Sequence, residues 1–185
     1  YDGIHLPPTG RKEYTNIIYN AIFEVYKDKF KEKKQALILE HQEELRNKIS
    51  FYGNDLLFYD FNELQNNYSD ARFTVKLNYS YKDLKEDIEK TIDEKTLSNK
   101  IVFGFDNSTI ISIKEYQDLI DLCKEREIYI ISTVKPLNSL NSKNVYVINF
   151  YQEIQKHKDY LMADGIHLTE KGNQRLNELI NEKLK

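Results

Sequence analysis

The strongest constraint on this chain is a periodicity that changes again and again from residue 48 onward. EIYIISTV (127–134) and NVYVINF (144–150) are almost unbroken apolar runs, the pattern of strands covered on both faces, as in a parallel sheet. KISFYG (48–53), ARFTVKL (71–77) and KIVFGF (100–105) also read as strands. Helical patterns separate them: a stretch through Leu56, Leu57, Phe61 and Leu64, then YKDLKEDIEKTIDEK with Leu84, Ile88 and Ile92 on one face, then IKEYQDLIDLCKER. The last helix starts after Thr169, an N-cap with Glu170 in its first turn, and buries Leu176, Leu179, Ile180 and Leu184. Strand and helix alternate five times. Each right-handed crossover is long enough to hold a helix, so the expected architecture is a three-layer α/β/α sandwich on a five-stranded parallel sheet.

In such a sheet the ligand crevice forms from the loops at the C-terminal strand ends. Those loops are YGND, LNYS, FDNST and the segment carrying DGIHL. Ahead of them, residues 1–47 are helical. Tyr14, Ile17, Ile18, Ala21, Ile22 and Val25 give an amphipathic stripe over Arg11–Tyr26, and a second helix is expected over about Lys31–Arg46. The domain division is therefore a helical segment over 1–47 and an α/β domain over 48–185.

At 185 residues and 22.1 kDa the chain holds one domain with residues to spare. Its 27 basic and 30 acidic residues are interspersed, so no nucleic-acid footprint is present, and KDKFKEKK (27–34) reads as a solvated helix face. The lone Cys123 excludes an internal disulfide and a cysteine zinc site, and sits as a small apolar residue on a buried helix face. No apolar run is long enough to span a bilayer, and no signal peptide opens the chain. The sequence begins YDGIHL without an initiator Met, as a piece of a longer polypeptide would. His41 and His157 lie in charged helical surroundings and are expected to be exposed, whereas most of the 14 Tyr and 9 Phe rings are expected to face the core. Nothing calls for a cofactor.

NVYVINFYQEIQKHKDYLMADGIHLTEKGNQRLNELI resembles the last strand, connecting helix, D-x-x-H block and closing helix of SGNH (GDSL) hydrolases. The resemblance extends back through KIVFGFDNST, ARFTVKLNYSYKDL and ISFYGNDLLFYDF, covering roughly residues 48–184, and is greatest to the extracytoplasmic SGNH domains of peptidoglycan O-acetyltransferases fused to membrane acyltransferases. It implies a flavodoxin-like sheet, extracytoplasmic action and a glycan or acylated cell-wall polymer as partner. It also implies a Ser nucleophile in a Gly-Asp-Ser turn, a His base oriented by an Asp three residues earlier, and oxyanion donors from a Gly after the second strand and an Asn after the third. Carried over by position, Asp164 and His167 are the acid and base and Asn107 is the oxyanion Asn. The Gly-Asp-Ser turn is Gly53-Asn54-Asp55, and the oxyanion Gly is Asn78.

The nucleophile position thus holds Asp55. A carboxylate is not activated by deprotonation, and acylating it would give a mixed anhydride instead of a Ser ester. An Asp55-His167-Asp164 cluster favours a charged imidazole, and the expectation is an inactive or impaired domain that binds glycan or a partner. The competing expectation is an active O-acetyl esterase or acetyltransferase with a noncanonical nucleophile and His167 as base. Placing the first block at Glu40-His41-Gln42 also yields no Ser, and Ser50 and Ser80 read as structural. Two carboxylates and an imidazole suit a metal, but their spacing gives no positive signal for one.

DGIHLPPTGR (2–11) nearly repeats DGIHLTEKGN (164–173) and is likewise followed by an amphipathic helix. No strands precede it within the 1–47 segment. Residues 1 to about 30 read as the tail of an upstream copy of the domain, with Asp2 and His5 serving that copy's site and residues 31–47 forming a linker helix. The rival reading has this segment packing onto the sheet in place of the closing helix.

Overall fold

The protein was analysed as a computed structural model, in which residues 8–106, 109 and 111–184 are described. The chain divides into two compact units, one ending at Gln42 and the other starting at Glu43. Helix α1 (Pro8–Asn47) makes up the described part of the first unit and runs into the second. Two helices were expected here. One continuous helix forms because no Gly or Pro interrupts residues 11–52, even where the apolar stripe lapses around Lys27–Lys34. Tyr14, Tyr19, Phe23, Tyr26 and Phe30 on α1 are exposed, as are Phe58, Tyr59 and Tyr146, so fewer rings face the core than the sequence suggested.

The second unit follows the alternation read from the sequence. β1 (Ile49–Gly53), β2 (Arg72–Val75), β3 (Lys100–Gly104), β4 (Glu127–Ile131) and β5 (Val145–Ile148) form one sheet in the order β2-β1-β3-β4-β5. Every neighbouring pair is parallel. Alternate side chains feed opposite cores. Tyr52, Ile101, Phe103, Ile128, Ile130 and Val147 pack under α4 (Tyr81–Asp93) and α5 (Ile113–Leu122) with Leu84, Ile88, Tyr116 and Leu119. Phe51, Val102, Tyr129, Ile131 and Ile148 pack on the other face with Leu57, Leu64, Ile154, Leu176 and Ile180. Those partners come from α2 (Asp55–Phe58), α3 (Phe61–Asn67), α6 (Phe150–Lys156) and α7 (Glu170–Leu184). Both faces are dry, which explains the continuous apolar runs of β4 and β5.

The expected single helix through Leu56–Leu64 is two short ones, α2 and α3, broken at Tyr59-Asp60. Helix starts are capped as their sequences imply. The Ser112 hydroxyl accepts from the Glu115 N–H while the Glu115 carboxylate accepts from the Ser112 N–H. Thr169 Oγ1 accepts from the Gly172 N–H at the start of α7, 3.2 Å away. Cys123, at the end of α5, is buried, and burial pushes its thiol up to about 12.

Candidate active site

The sheet order reverses between β1 and β3, whose C-terminal ends face the loops that diverge to opposite sides. Gly53 and Gly104 are register partners there. The side chain of Leu57 lies across both: a Cβ on Gly53 would stand 2.5 Å from the Gly104 carbonyl oxygen and 2.6 Å from Leu57, and one on Gly104 would stand 2.6 Å from Leu57. Beyond the glycines the two loops are clasped. Asn54 and Asp106 are buried, the Asn54 amide donates to Asp106 Oδ1 at 2.8 Å, and the Asp106 N–H donates back to Asn54 Oδ1 at 3.1 Å. Asn54 also accepts from the Leu56 N–H, capping α2. This clasp sets where the next residue points.

That residue is Asp55. Its Oδ1 accepts the Asn78 backbone N–H at 3.3 Å, and its Oδ2 lies 4.0 Å from His167 Nε2. Asn78 stands at φ 55°, the left-handed region that Gly enters freely and Asn tolerates better than most residues. Its N–H is directed at the Asp55 carboxylate.

The D-x-x-H block closes on itself. Asp164 Oδ1 accepts the N–H groups of Ile166 (2.9 Å) and His167 (3.0 Å), and its Oδ2 meets His167 Nδ1 at 2.6 Å. Gly165 makes the turn at φ 71°. The His167 bond and the two N–H groups hold the Asp164 carboxyl down at about 2. The hydrogen bond to Asp164 raises the His167 imidazole above its ordinary value, helped by the charges of Asp164, Asp106 and Asp55, against some desolvation. With Nδ1 committed to Asp164, Nε2 faces Asp55. The Tyr59 ring stands edge-on to the imidazole, with ring centroids 5.1 Å apart.

The structure thus brings Asp55, Asn78, Asp164 and His167 together. Asn107 lies outside the described residues, as do Asp2 and His5. Ser50 is buried with its Oγ 2.6 Å from that of Ser98, and Ser80 caps α4, so neither reaches His167. Among the described residues no Ser, Thr or Cys hydrogen-bonds His167, and no three His, Cys, Asp or Glu side chains are grouped to hold a metal. His41 and His157 are exposed, as expected.

One part of the site is not legible in the sequence. A pocket of about 550 Å³ opens beside His167, lined by Tyr59, Asp60, Glu63, Met162, Leu168 and Asn173 among others. Asp60 is 4% exposed, and its Oδ2 has no hydrogen-bond partner; nor do Asn173 Oδ1 or either polar atom of the buried Asn177 side chain. Burial and the neighbouring Glu63 push the Asp60 carboxyl up to about 7, with the Asn177 side chain opposing them. Asp60 and Asn173 line the pocket, whereas Asn177 is buried on α7 outside its lining.

The fold is shared by solved structures. The C-terminal catalytic domain of Streptococcus pneumoniae peptidoglycan O-acetyltransferase A, solved with a methylsulfonyl adduct, superposes with a TM-score of 0.58 at 12% identity, covering 75% of this chain and 92% of that domain. A GDSL-like lipase from Bacteroides thetaiotaomicron gives 0.57 at 13% identity, over 74% of this chain and 87% of that one. The domain has the fold of the SGNH/GDSL hydrolase superfamily, as the sequence resemblance implied. In sequence, two Staphylococcus aureus proteins provisionally named O-acetyltransferases, from strains COL and MRSA252, are 28% identical to this chain over 103 residues. That match covers 49% of this chain and 17% of theirs, so this chain spans only a small part of those relatives. No family model matches the sequence.

Proposed function

We propose that this domain is a non-hydrolytic relative of cell-wall O-acetyltransferases and esterases, working outside the cytoplasm as an auxiliary module that binds glycan beside His167. The observation that carries the reading is the Asp55 carboxylate, seated between the Asn78 N–H and His167 Nε2. In acyl transfer that N–H would meet an oxyanion that exists only in the transition state. Here it meets a permanent carboxylate in the ground state, so its stabilisation is spent before any substrate arrives. The same carboxylate and Asp164 favour His167 as imidazolium, which has no lone pair at Nε2 with which to act as base. On this reading Asp164 and His167 are an acid-base pair without a Ser to serve.

The binding role rests on the adjoining pocket. Tyr59 offers a ring wall, Met162 and Leu168 apolar surface, and Asp60, Glu63 and Asn173 polar side chains in the lining, a mixture that suits a sugar's hydroxyl or acetamido groups. Titration calorimetry with N-acetylglucosamine oligomers should show binding that weakens at least tenfold in Tyr59→Ala and Asn173→Ala. Absence of binding by the unaltered protein would remove the glycan role.

The intact 2.6 Å contact between Asp164 and His167 favours a second reading, an active esterase or acetyltransferase with a noncanonical nucleophile. Hydrolysis of 4-nitrophenyl acetate separates the two. On the first reading the protein shows no turnover that His167→Ala abolishes, and such turnover emerges only in Asp55→Ser. His167-dependent turnover by the unaltered chain would sink the inactive reading.

A further inference from the structure

The repeated DGIHL is the visible part of a longer correspondence. At a constant spacing of 162 residues and without a gap, Asp2, Gly3, Ile4, His5, Leu6, Gly10 and Ile18 recur as Asp164, Gly165, Ile166, His167, Leu168, Gly172 and Ile180. At the same spacing Tyr14, Ile17 and Ile22 pair with Leu176, Leu179 and Leu184. The matched positions are those with work to do in α7. Gly172 lets the helix press on the Tyr160 backbone, where an added Cβ would stand 2.3 Å from the carbonyl oxygen. Leu176, Ile180 and Leu184 are 0%, 0% and 7% exposed and belong to the core against Phe51 and Val102.

On α1 the counterparts are not covered. Tyr14, Ile18 and Ile22 are 57%, 41% and 51% exposed, and Ile17 is 65% exposed. An apolar stripe of this length left in water is the signature of a face built for a partner. The register of the repeat says which partner: a sheet face like the one α7 covers, approached by a helix that carries a glycine one turn before its first core residue.

We infer that residues 2–22 are the closing loop and helix of a second domain of this same fold, whose sheet is encoded earlier in the same polypeptide. Chain order favours that source. The D-x-x-H loop and closing helix follow all five strands here, and α1 leads directly into β1 of the next domain. The sheet of another copy of this chain is a poorer host, because its own Leu176, Ile180 and Leu184 already fill the place. The two domains are then encoded in tandem. This inference stands apart from whether the 48–185 domain is catalytic.

The test begins with the reading frame upstream of Tyr1. Expected is a stretch of alternating strand and helix patterns ending at Asp2; a frame without one overturns the proposal. The full encoded polypeptide should then melt in two transitions. Ile18→Asp should lower one by about 10 °C or more, or abolish it, and leave the other in place, since it buries a charge in only one core. Ile180→Asp should do the converse. If Ile18→Asp moves neither transition, the stripe closes no domain and the inference fails. If instead the 185-residue chain forms a dimer that Ile18→Asp dissociates, the stripe belongs to a contact between copies, and the inference fails as well.

Discussion

Asp60 carries the clearest consequence at the scale of single residues. Its carboxyl stands at about 7 in the folded protein against 3.8 in an exposed chain. The folded state therefore keeps a proton that the unfolded state has lost, and stability falls as pH rises between those two values. The loss is of order 2–4 kcal/mol by pH 8. Asp60→Asn, which has no charge to bury, should gain on the unaltered protein as pH rises, with the difference in melting temperature smallest near pH 3.5 and largest at pH 8; a difference that stays constant over that range would contradict this. His167 works alongside it: raised in the folded state, it adds stability that is complete below pH 6.5 and disappears as pH rises through its folded value, whereas the depressed Asp164 adds stability above 3.8 that disappears as pH falls toward 2. Asn78, at φ 55°, should accept Gly with little change and lose about 1–2 kcal/mol as Val in chemical denaturation, because a β-branched side chain is strained there. Much of the geometry around His167 was legible, since a D-x-x-H turn and a Gly-x-x turn are local objects. Asp60 and Asn173 were not. Their pocket is assembled by residues more than a hundred positions apart, and no local pattern marks a carboxyl in a helix break as buried.

Among elements, the sharpest fit is Leu57 of α2 lying over the ends of β1 and β3. Leu57→Ala should cost about 2–5 kcal/mol, as removal of a fully buried leucine does. The two glycines beneath it differ in a way that double mutants can read. The three atoms nearest to a Cβ at Gly104 all belong to the Leu57 side chain, so Gly104→Ala should cost much less in a Leu57→Ala background than alone. A Cβ at Gly53 also meets the Gly104 carbonyl, so Gly53→Ala should remain destabilising in both backgrounds. Additive behaviour for Gly104 and Leu57 in urea melts would refute this packing. Element type was readable throughout because strands covered on both faces and helices covered on one have different periods. The break at Tyr59-Asp60 was hidden, since the spacing of Leu56, Leu57, Phe61 and Leu64 continues the helical pattern across it. The unity of α1 was hidden for the opposite reason: its apolar pattern lapses while its backbone has nothing to stop it.

For the molecule as a whole, the parallel sheet is the stable body and the helix before Gln42 is not part of it. Amide exchange of the 185-residue chain should be slowest in β1, β3 and β4, and fast from residue 10 to about 40, where most side chains are in water. Comparable protection in both would mean that α1 is covered. Periodicity alone reaches only a parallel sheet; that β1 lies between β2 and β3, and so at the reversal where the site forms, was implied by the resemblance to a flavodoxin-like sheet, because no local pattern encodes strand pairing.

The clasp between Asn54 and Asp106 also constrains which substitutions the loops tolerate. Asp55→Ser leaves both of its partners untouched, whereas a change at position 54 does not. Asn54→Asp would set two buried carboxylates where an amide now donates at 2.8 Å, at a cost of roughly 3 kcal/mol or more unless one holds a proton. Asp106→Asn in the same chain would relieve that repulsion. One hydrogen bond thus makes the residue allowed at 54 depend on the residue at 106, two positions far apart in the chain that can change safely only as a pair.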